Sequence, residues 1–268
     1  MNSNWRLIGA SVTGTSHAKG GRPCQDAHAY REVAGGALLV VADGAGSAER
    51  SAEGADCAAQ TALAALAGAL ADGWPADPNA WHALYTTAYA AARAQLEQLA
   101  AGAGLEVRDF ASTLLCAALW DQGLAVAQLG DGIAAAYSPA GGLAAASEAQ
   151  APGDWFLAAQ PQRGEYANET YFLSQADALQ HVEVAVYSEP VYALALMTDG
   201  LLRLVLDGQR QPHVPFFRPL LTFGVELDDV AQGCAQLADF LASERVCART
   251  DDDKTVVLAL RLPPGWPE

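Results

Sequence analysis

An apolar run at residues 37–42 ends in Asp43-Gly44-Ala45-Gly46. The run is far too short to span a membrane, so it reads as a buried strand that delivers a carboxylate to the edge of a core. The pattern recurs twice more, where residues 124–130 run into Asp131-Gly132 and residues 192–198 into Asp199-Gly200. A fourth acidic group, Asp251-Asp252-Asp253, stands just before the apolar residues 255–260. Asp-Gly alone is an ordinary hairpin signal, and Asp72-Gly73 and Asp207-Gly208, outside apolar runs, are assigned to plain turns. Four strand ends carrying carboxylates, with Asp26 beside them, call for more. Carboxylates near a core are costly unless a cation accompanies them, so the set predicts one shared site.

The overall charge agrees with a cation-binding cleft and narrows the partners. A formal net charge of -16 argues against nucleic acid and anionic membrane, both of which require a basic surface. With 51% hydrophobic and 17% charged residues the chain is globular rather than disordered. No Ser/Gly/Pro-rich linker divides its 268 residues, so a single domain over 1–268 is expected. The five cysteines, Cys24, Cys57, Cys116, Cys234 and Cys247, are dispersed and form no C-x-x-C pair. Neither a disulfide framework nor a zinc site is expected, and a cytoplasmic location is the simplest setting. The opening Met1-Asn2-Ser3-Asn4-Trp5-Arg6 has no basic segment followed by an apolar one, as a signal peptide would.

Weak alternation over 5–13 predicts an opening strand, followed by a glycine-rich loop to Pro23 and a hairpin of two strands ending at residue 42. Ala-rich residues 49–71 predict a first helix with Ser47 as its cap; Asn79 is read as the N-cap of a second, with Trp81, Leu84, Tyr85, Ala88, Ala92, Leu96 and Leu99 at helical spacing. Strands are expected at 112–120, 124–130, 133–138, 169–173, 181–187 and 191–198, with little pattern over 139–168. Helices are expected from Asp199 to Leu206 and from 225 to 246, the latter with Val230, Cys234, Leu237, Phe240 and Leu241 on one face, then a last strand at 254–262. Adjacent antiparallel strands with helices grouped apart give an α+β class.

Cys24-Gln25-Asp26-Ala27, Val41-Ala42-Asp43-Gly44-Ala45-Gly46, Ala111-Ser112-Thr113, Leu129-Gly130-Asp131, Met197-Thr198-Asp199-Gly200-Leu201 and Asp252-Asp253-Lys254-Thr255 resemble, in order and spacing, the signature blocks of the metal-dependent (PPM, type 2C) Ser/Thr protein phosphatases, bacterial branch. The resemblance implies a four-layer αββα sandwich, two antiparallel β-sheets flanked by antiparallel helix pairs, with a binuclear Mn/Mg centre at one end. It implies that Asp43 bridges two ions with the Gly44 carbonyl as a further ligand, that Asp199 and Asp252 hold the first ion, and that Asp26 serves the second through water. Asp131 resembles the residue that holds a weaker third ion. The implied substrate is a protein carrying phosphoserine or phosphothreonine, and the implied partner a cognate Ser/Thr kinase. The residue types fit the chemistry on their own: Mg and Mn prefer oxygen ligands, and two such ions can activate a water for in-line attack on phosphorus.

Three positions depart from the family pattern. Gln25 stands where an acidic residue is usual, Ala45 replaces a frequent histidine proposed as general acid, and Gly21 takes the place of the phosphate-binding arginine, with Arg22 one position later. Arg22, as a phosphate contact, and His17, as an acid or phosphate ligand, are the candidates to fill these gaps. His28 alternates into a strand and is assigned a structural role, and Ser112-Thr113 a packing role. The departures also keep open an alternative, a catalytically weak regulatory or binding module that retains the fold.

Overall fold

The apolar runs become the strands of two five-stranded antiparallel sheets. The computed structural model describes residues 5–139, 153–162 and 170–261. In chain order the strands are β1 (Trp5–Val12), β2 (Asp26–Val33), β3 (Gly36–Asp43), β4 (Leu114–Trp120), β5 (Gly123–Leu129), β6 (Ile133–Pro139), β7 (Gly153–Ala159), β8 (Glu183–Tyr187), β9 (Ala193–Met197) and β10 (Lys254–Arg261). One sheet has the order β1-β10-β9-β6-β7 and the other β2-β3-β4-β5-β8. The helices are α1 (Thr15–Lys19), α2 (Ser51–Ala69), α3 (Pro78–Ala103), α4 (Leu202–Val205), α5 (Val214–Glu226), α6 (Val230–Ala242) and α7 (Glu244–Cys247).

Three apolar layers hold the sandwich together. Between the sheets lie Leu39, Val41, Val126, Leu194, Leu196 and Val257, whose alternate neighbours face the helices. Outside the second sheet, Leu38, Val40 and Cys116 pack against Ala58, Ala62 and Leu66 of α2 and Tyr85 and Tyr89 of α3. Outside the first, Ile8, Val256 and Leu258 pack against Phe217, Leu237 and Leu241. Alanine on α2 lets the helix approach the sheet closely, which explains its Ala-rich composition.

Helix α3 is bolted to its sheet by two phenols. The Tyr85 hydroxyl donates to the Ala125 carbonyl at 2.7 Å, and the Tyr89 hydroxyl lies 2.9 and 2.7 Å from the carbonyls of Leu114 and Ala127. Tyr89→Phe removes a buried hydrogen bond without opening a cavity, so it is expected to cost about 1–2 kcal/mol in urea denaturation. At the helix start, Trp81 stacks on Trp120 with ring centroids 4.9 Å apart, and Trp120 on Trp74 at 5.7 Å.

Several sequence expectations are corrected. The cap of α3 is Asp77, which accepts from the Asn79 amide at 2.9 Å, because Pro78 takes the first helical position that needs no amide donor. Ser47 does not cap α2, whose N-cap is Arg50 without a side-chain bond. The glycine-rich loop contains α1, a strand at 169–173 is absent among the described residues 170–173, and β7 falls in the patternless stretch. The single helix expected over 225–246 is two helices, α6 and α7, and α5, unforeseen, precedes them and runs to Glu226. Phe240 and Val230 are exposed at 39% and 43%, while Gly233, Leu237 and Leu241 form the buried stripe of α6. Most of the patternless stretch, 139–168, lies outside the described residues.

Candidate metal centre

The strand directions bring the acidic residues to one rim. β3, β5 and β9 arrive there at Asp43, Leu129 and Met197, while β2 and β10 leave from Asp26 and Lys254. Pairing sets Asp26 directly across from Asp43, and Val256 across from Met197. Adjacent antiparallel strands therefore place the ends that carry Asp43, Asp131 and Asp199 beside the starts that carry Asp26 and Asp252-Asp253.

Asp43, Asp131 and Asp199 converge, each offering a carboxylate oxygen within 4.8 Å of the others. Burial comes first in raising the pKa of Asp43 well above its usual range, with Asp26 and Asp199 adding to it. Burial, then the charge of Asp131, pushes Asp199 up to about 6, and burial raises Asp131 as well. These are the signs of half-buried carboxylates crowded together, where a cation would hold them ionised. Asp252 is exposed and outside this tight trio, yet its charge raises both Asp199 and Asp131. Its Oδ1 accepts from the Asp253 amide at 2.9 Å.

Asp26 sits deeper, and burial pushes it to about 8. Its Oδ2 lies 2.7 Å from the Thr198 hydroxyl and 2.9 Å from that of Thr255. Oδ1 is buried without a partner, as is Oε1 of the neighbouring Gln25. Two orphaned oxygens beside three crowded carboxylates form an all-oxygen donor set, which suits Mg or Mn and not a soft metal. Thr255 also contacts Ser11 at 2.7 Å, and Ser11 the His28 ring at 2.8 Å. His28 thus ends a half-buried polar chain that leads to Asp26.

The backbone around each carboxylate is fixed. Asp43 is clamped by Thr113, whose Oγ1 accepts from the Asp43 amide at 3.0 Å and whose own amide donates to the Asp43 carbonyl at 2.8 Å. Thr113 therefore holds a candidate ligand in addition to packing. Gly44 donates its amide to the Gln25 carbonyl at 3.1 Å, and a Cβ there would collide with the Gln25 and Ser51 carbonyls. Asp131 rides on a turn held by Gln128, whose amide donates to the carbonyls of Gly130 and Gly132, and by Gln162, which accepts from the Gly130 amide at 2.7 Å. Gly130 has φ of 118°, which admits little but glycine. Thr170 donates to Asp131 Oδ2 at 2.5 Å.

Asp253 organises the loop that carries the remaining candidates. Its Oδ1 accepts from the Gly14 amide at 2.6 Å, and its Oδ2 from the Gln25 amide at 2.6 Å and from His17 Nδ1 at 2.9 Å. His17 is buried, with Nδ1 committed to this carboxylate. Arg22 is exposed, and its Nη1 donates to the Gly46 carbonyl at 3.2 Å, which ties the loop to the turn after Asp43. Lys254, fully buried, donates to the carbonyls of Thr13 and Asp252. Sequence reasoning missed Asp253, Thr198, Thr255, Gln128, Gln162 and Thr170 as supports. The blocks Thr198-Asp199 and Asp253-Lys254-Thr255 held three of them, but the sequence does not say which side chain reaches across to another sheet.

A sequence profile described as Protein phosphatase 2C matches residues 13–242. The chain is 35% identical to Serine/threonine-protein phosphatase 3 of Escherichia coli (strain K12) over 269 residues, covering 96% of this chain and 98% of that protein. Among solved structures it resembles serine/threonine phosphatase Stp1 from Staphylococcus aureus, at 13% identity with a TM-score of 0.60, covering 97% of this chain and 95% of that one. It also resembles the catalytic domain of the serine threonine protein phosphatase PstP in complex with two manganese ions, at 19% identity with a TM-score of 0.57, covering 97% and 99%. At those identities the two structures establish the fold alone.

Proposed function

Because the chain belongs to the protein phosphatase 2C family, we infer that it hydrolyses phosphoserine and phosphothreonine in proteins as a metal-dependent Ser/Thr phosphatase. The observation that carries this is the convergence of Asp43, Asp131 and Asp199 within 4.8 Å at the rim of the sandwich. Bound at such a centre, Mn or Mg ions supply Lewis acidity and a water acidified enough to attack phosphorus at neutral pH.

The residues divide the remaining work. Asp43, with the Gly44 carbonyl, would hold both ions; Asp199 and Asp252 would hold the first, Asp26 would serve the second through water, and Asp131 a weaker third. Asp26 Oδ1 and Gln25 Oε1, which have no partner among the described residues, would accept from water. Arg22 is the phosphate contact, its guanidinium being exposed beside the Gly46 turn. His17 is the proton donor to the departing alkoxide. Asp253 fixes a proton on Nδ1 and leaves Nε2 as the nitrogen that exchanges one.

The His17 role has a specific consequence. A seryl alkoxide needs protonation and a nitrophenolate does not, so His17→Gln is expected to lower kcat on a phosphoserine peptide by about a hundredfold, with kcat on p-nitrophenyl phosphate little changed. Equal losses on both substrates would remove His17 from proton transfer. Mn titration of phosphatase activity tests the function itself, and absence of Mn- or Mg-dependent phosphate release would refute it. A single catalytic domain, a cytoplasmic location and a cognate Ser/Thr kinase complete the proposal. They are supported by the two-sheet core running through the described chain, by five free cysteines and by the phosphoprotein substrate. Among the described residues no helix is long and apolar enough to cross a membrane.

A further inference from the structure

Three arginines line one cavity of about 410 Å³ on the outer helical layer: Arg203 in α4, Arg245 in α7 and Arg249 just after it. Among the described residues none of the three guanidinium groups has an ion-pair or hydrogen-bond partner, whereas Arg50, Arg93, Arg108 and Arg261 each sit on a carboxylate. The acidic residue in the lining, Asp207, spends Oδ1 on the amides of Gln209 and Gln211 in its own turn. In a chain with 31 acidic and 15 basic residues, three guanidinium groups around one carboxylate leave a local positive excess. Like charges gathered around one space cost free energy that an incoming anion would recover.

Two of the three arginines lie close in the chain to candidate ligands. Arg203 follows Asp199 by four residues and Arg249 precedes Asp252 by three, so chain reach keeps each Cα within about 14 Å of the Cα of its neighbouring aspartate. Part of the wall is apolar, with Phe216, Phe240 and Pro219 in the same lining as the arginines. This combination accommodates the methylene stem of an acidic side chain while the guanidinium groups grip its carboxylate.

We propose that this cavity binds an acidic side chain of the protein substrate and sets its preference for acidic residues about three to five positions from the phosphorylated one, by the same chain-reach arithmetic. The proposal rests on the phosphatase reading and adds a substrate class to it. The occupant is an acidic segment because the anion must arrive with the phosphoresidue to gain from a cavity so near the centre.

The test compares two phosphothreonine peptides that differ in Glu or Gln at positions three to five on both sides, at low salt with Mn. Wild type is expected to show a KM about tenfold lower for the Glu peptide. Arg245→Gln and Arg249→Gln each shrink that ratio several-fold, their combination abolishes it, Arg249→Lys restores part of it, and kcat on the Gln peptide stays unchanged. Hydrolysis of p-nitrophenyl phosphate, run in parallel, reports folding and the metal centre independently of the cavity. Aryl phosphatase activity with equal KM for the two peptides, or a ratio untouched by the double substitution, overturns the cavity assignment alone. Absence of Mn-dependent turnover on every substrate overturns it together with the phosphatase reading.

Discussion

Asp43→Asn eliminates Mn-dependent phosphate release, with turnover falling roughly a thousandfold or more. The substitution exchanges the carboxylate at the centre of the trio for a neutral group of the same shape, so a lone amide oxygen must do what two charged oxygens did. Its effect on folding has the opposite sign. Burial and the neighbouring Asp26 and Asp199 hold the Asp43 carboxyl well above its ordinary pKa, so without metal the neutral amide relieves repulsion. The metal-free variant is therefore expected to melt at or above the temperature of metal-free wild type, and to lose the upward shift that Mn gives wild type. Wild-type turnover in Asp43→Asn would dismiss Asp43 from the mechanism. A strongly destabilised variant would contradict the electrostatic account of the site.

Asp253→Ala costs about 3–5 kcal/mol of stability in urea denaturation and frees the loop between β1 and β2. A single buried carboxylate accepts from Gly14, Gln25 and His17, and deleting it strands two buried amides and an imidazole. The loop also carries Arg22 and leads into Asp26, so activity declines with the anchoring. Limited proteolysis is expected to cut within residues 14–25 in the variant and not in wild type. Destabilisation under about 0.5 kcal/mol with an uncut loop would mean that the segment is held by something else.

The sequence disclosed the strands that end in aspartate because burial on both faces makes them continuous apolar runs, and the acidic ends interrupt those runs sharply. Asp43, Asp131 and Asp199 were legible for that reason, and one shared site followed from the cost of leaving carboxylates near a core without a cation. Helix α5 escaped because Pro219 inside it, with Pro215 near its start, reads as a helix breaker. β7 escaped because its surroundings lack pattern, and it gains strand character only by pairing with β6. Asp253 was overlooked for a different reason. Within Asp251-Asp252-Asp253 local sequence offers no way to tell the exposed residues from the one at 3% exposure that turns inward to cap a loop more than two hundred residues away. Long-range partners of single polar side chains are properties of the folded chain, and periodicity carries no trace of them. The arginine cavity belongs to the same class, since Arg203 and Arg249 meet only because β9 and β10 are neighbours.

The most direct measurement of the central claim is anomalous diffraction at the manganese edge from crystals grown with Mn. Two strong peaks are predicted at the rim, both within coordinating distance of Asp43 and one of them also touching Asp199 and Asp252. Peaks remote from Asp43, or none at a manganese concentration that supports full activity, would contradict it.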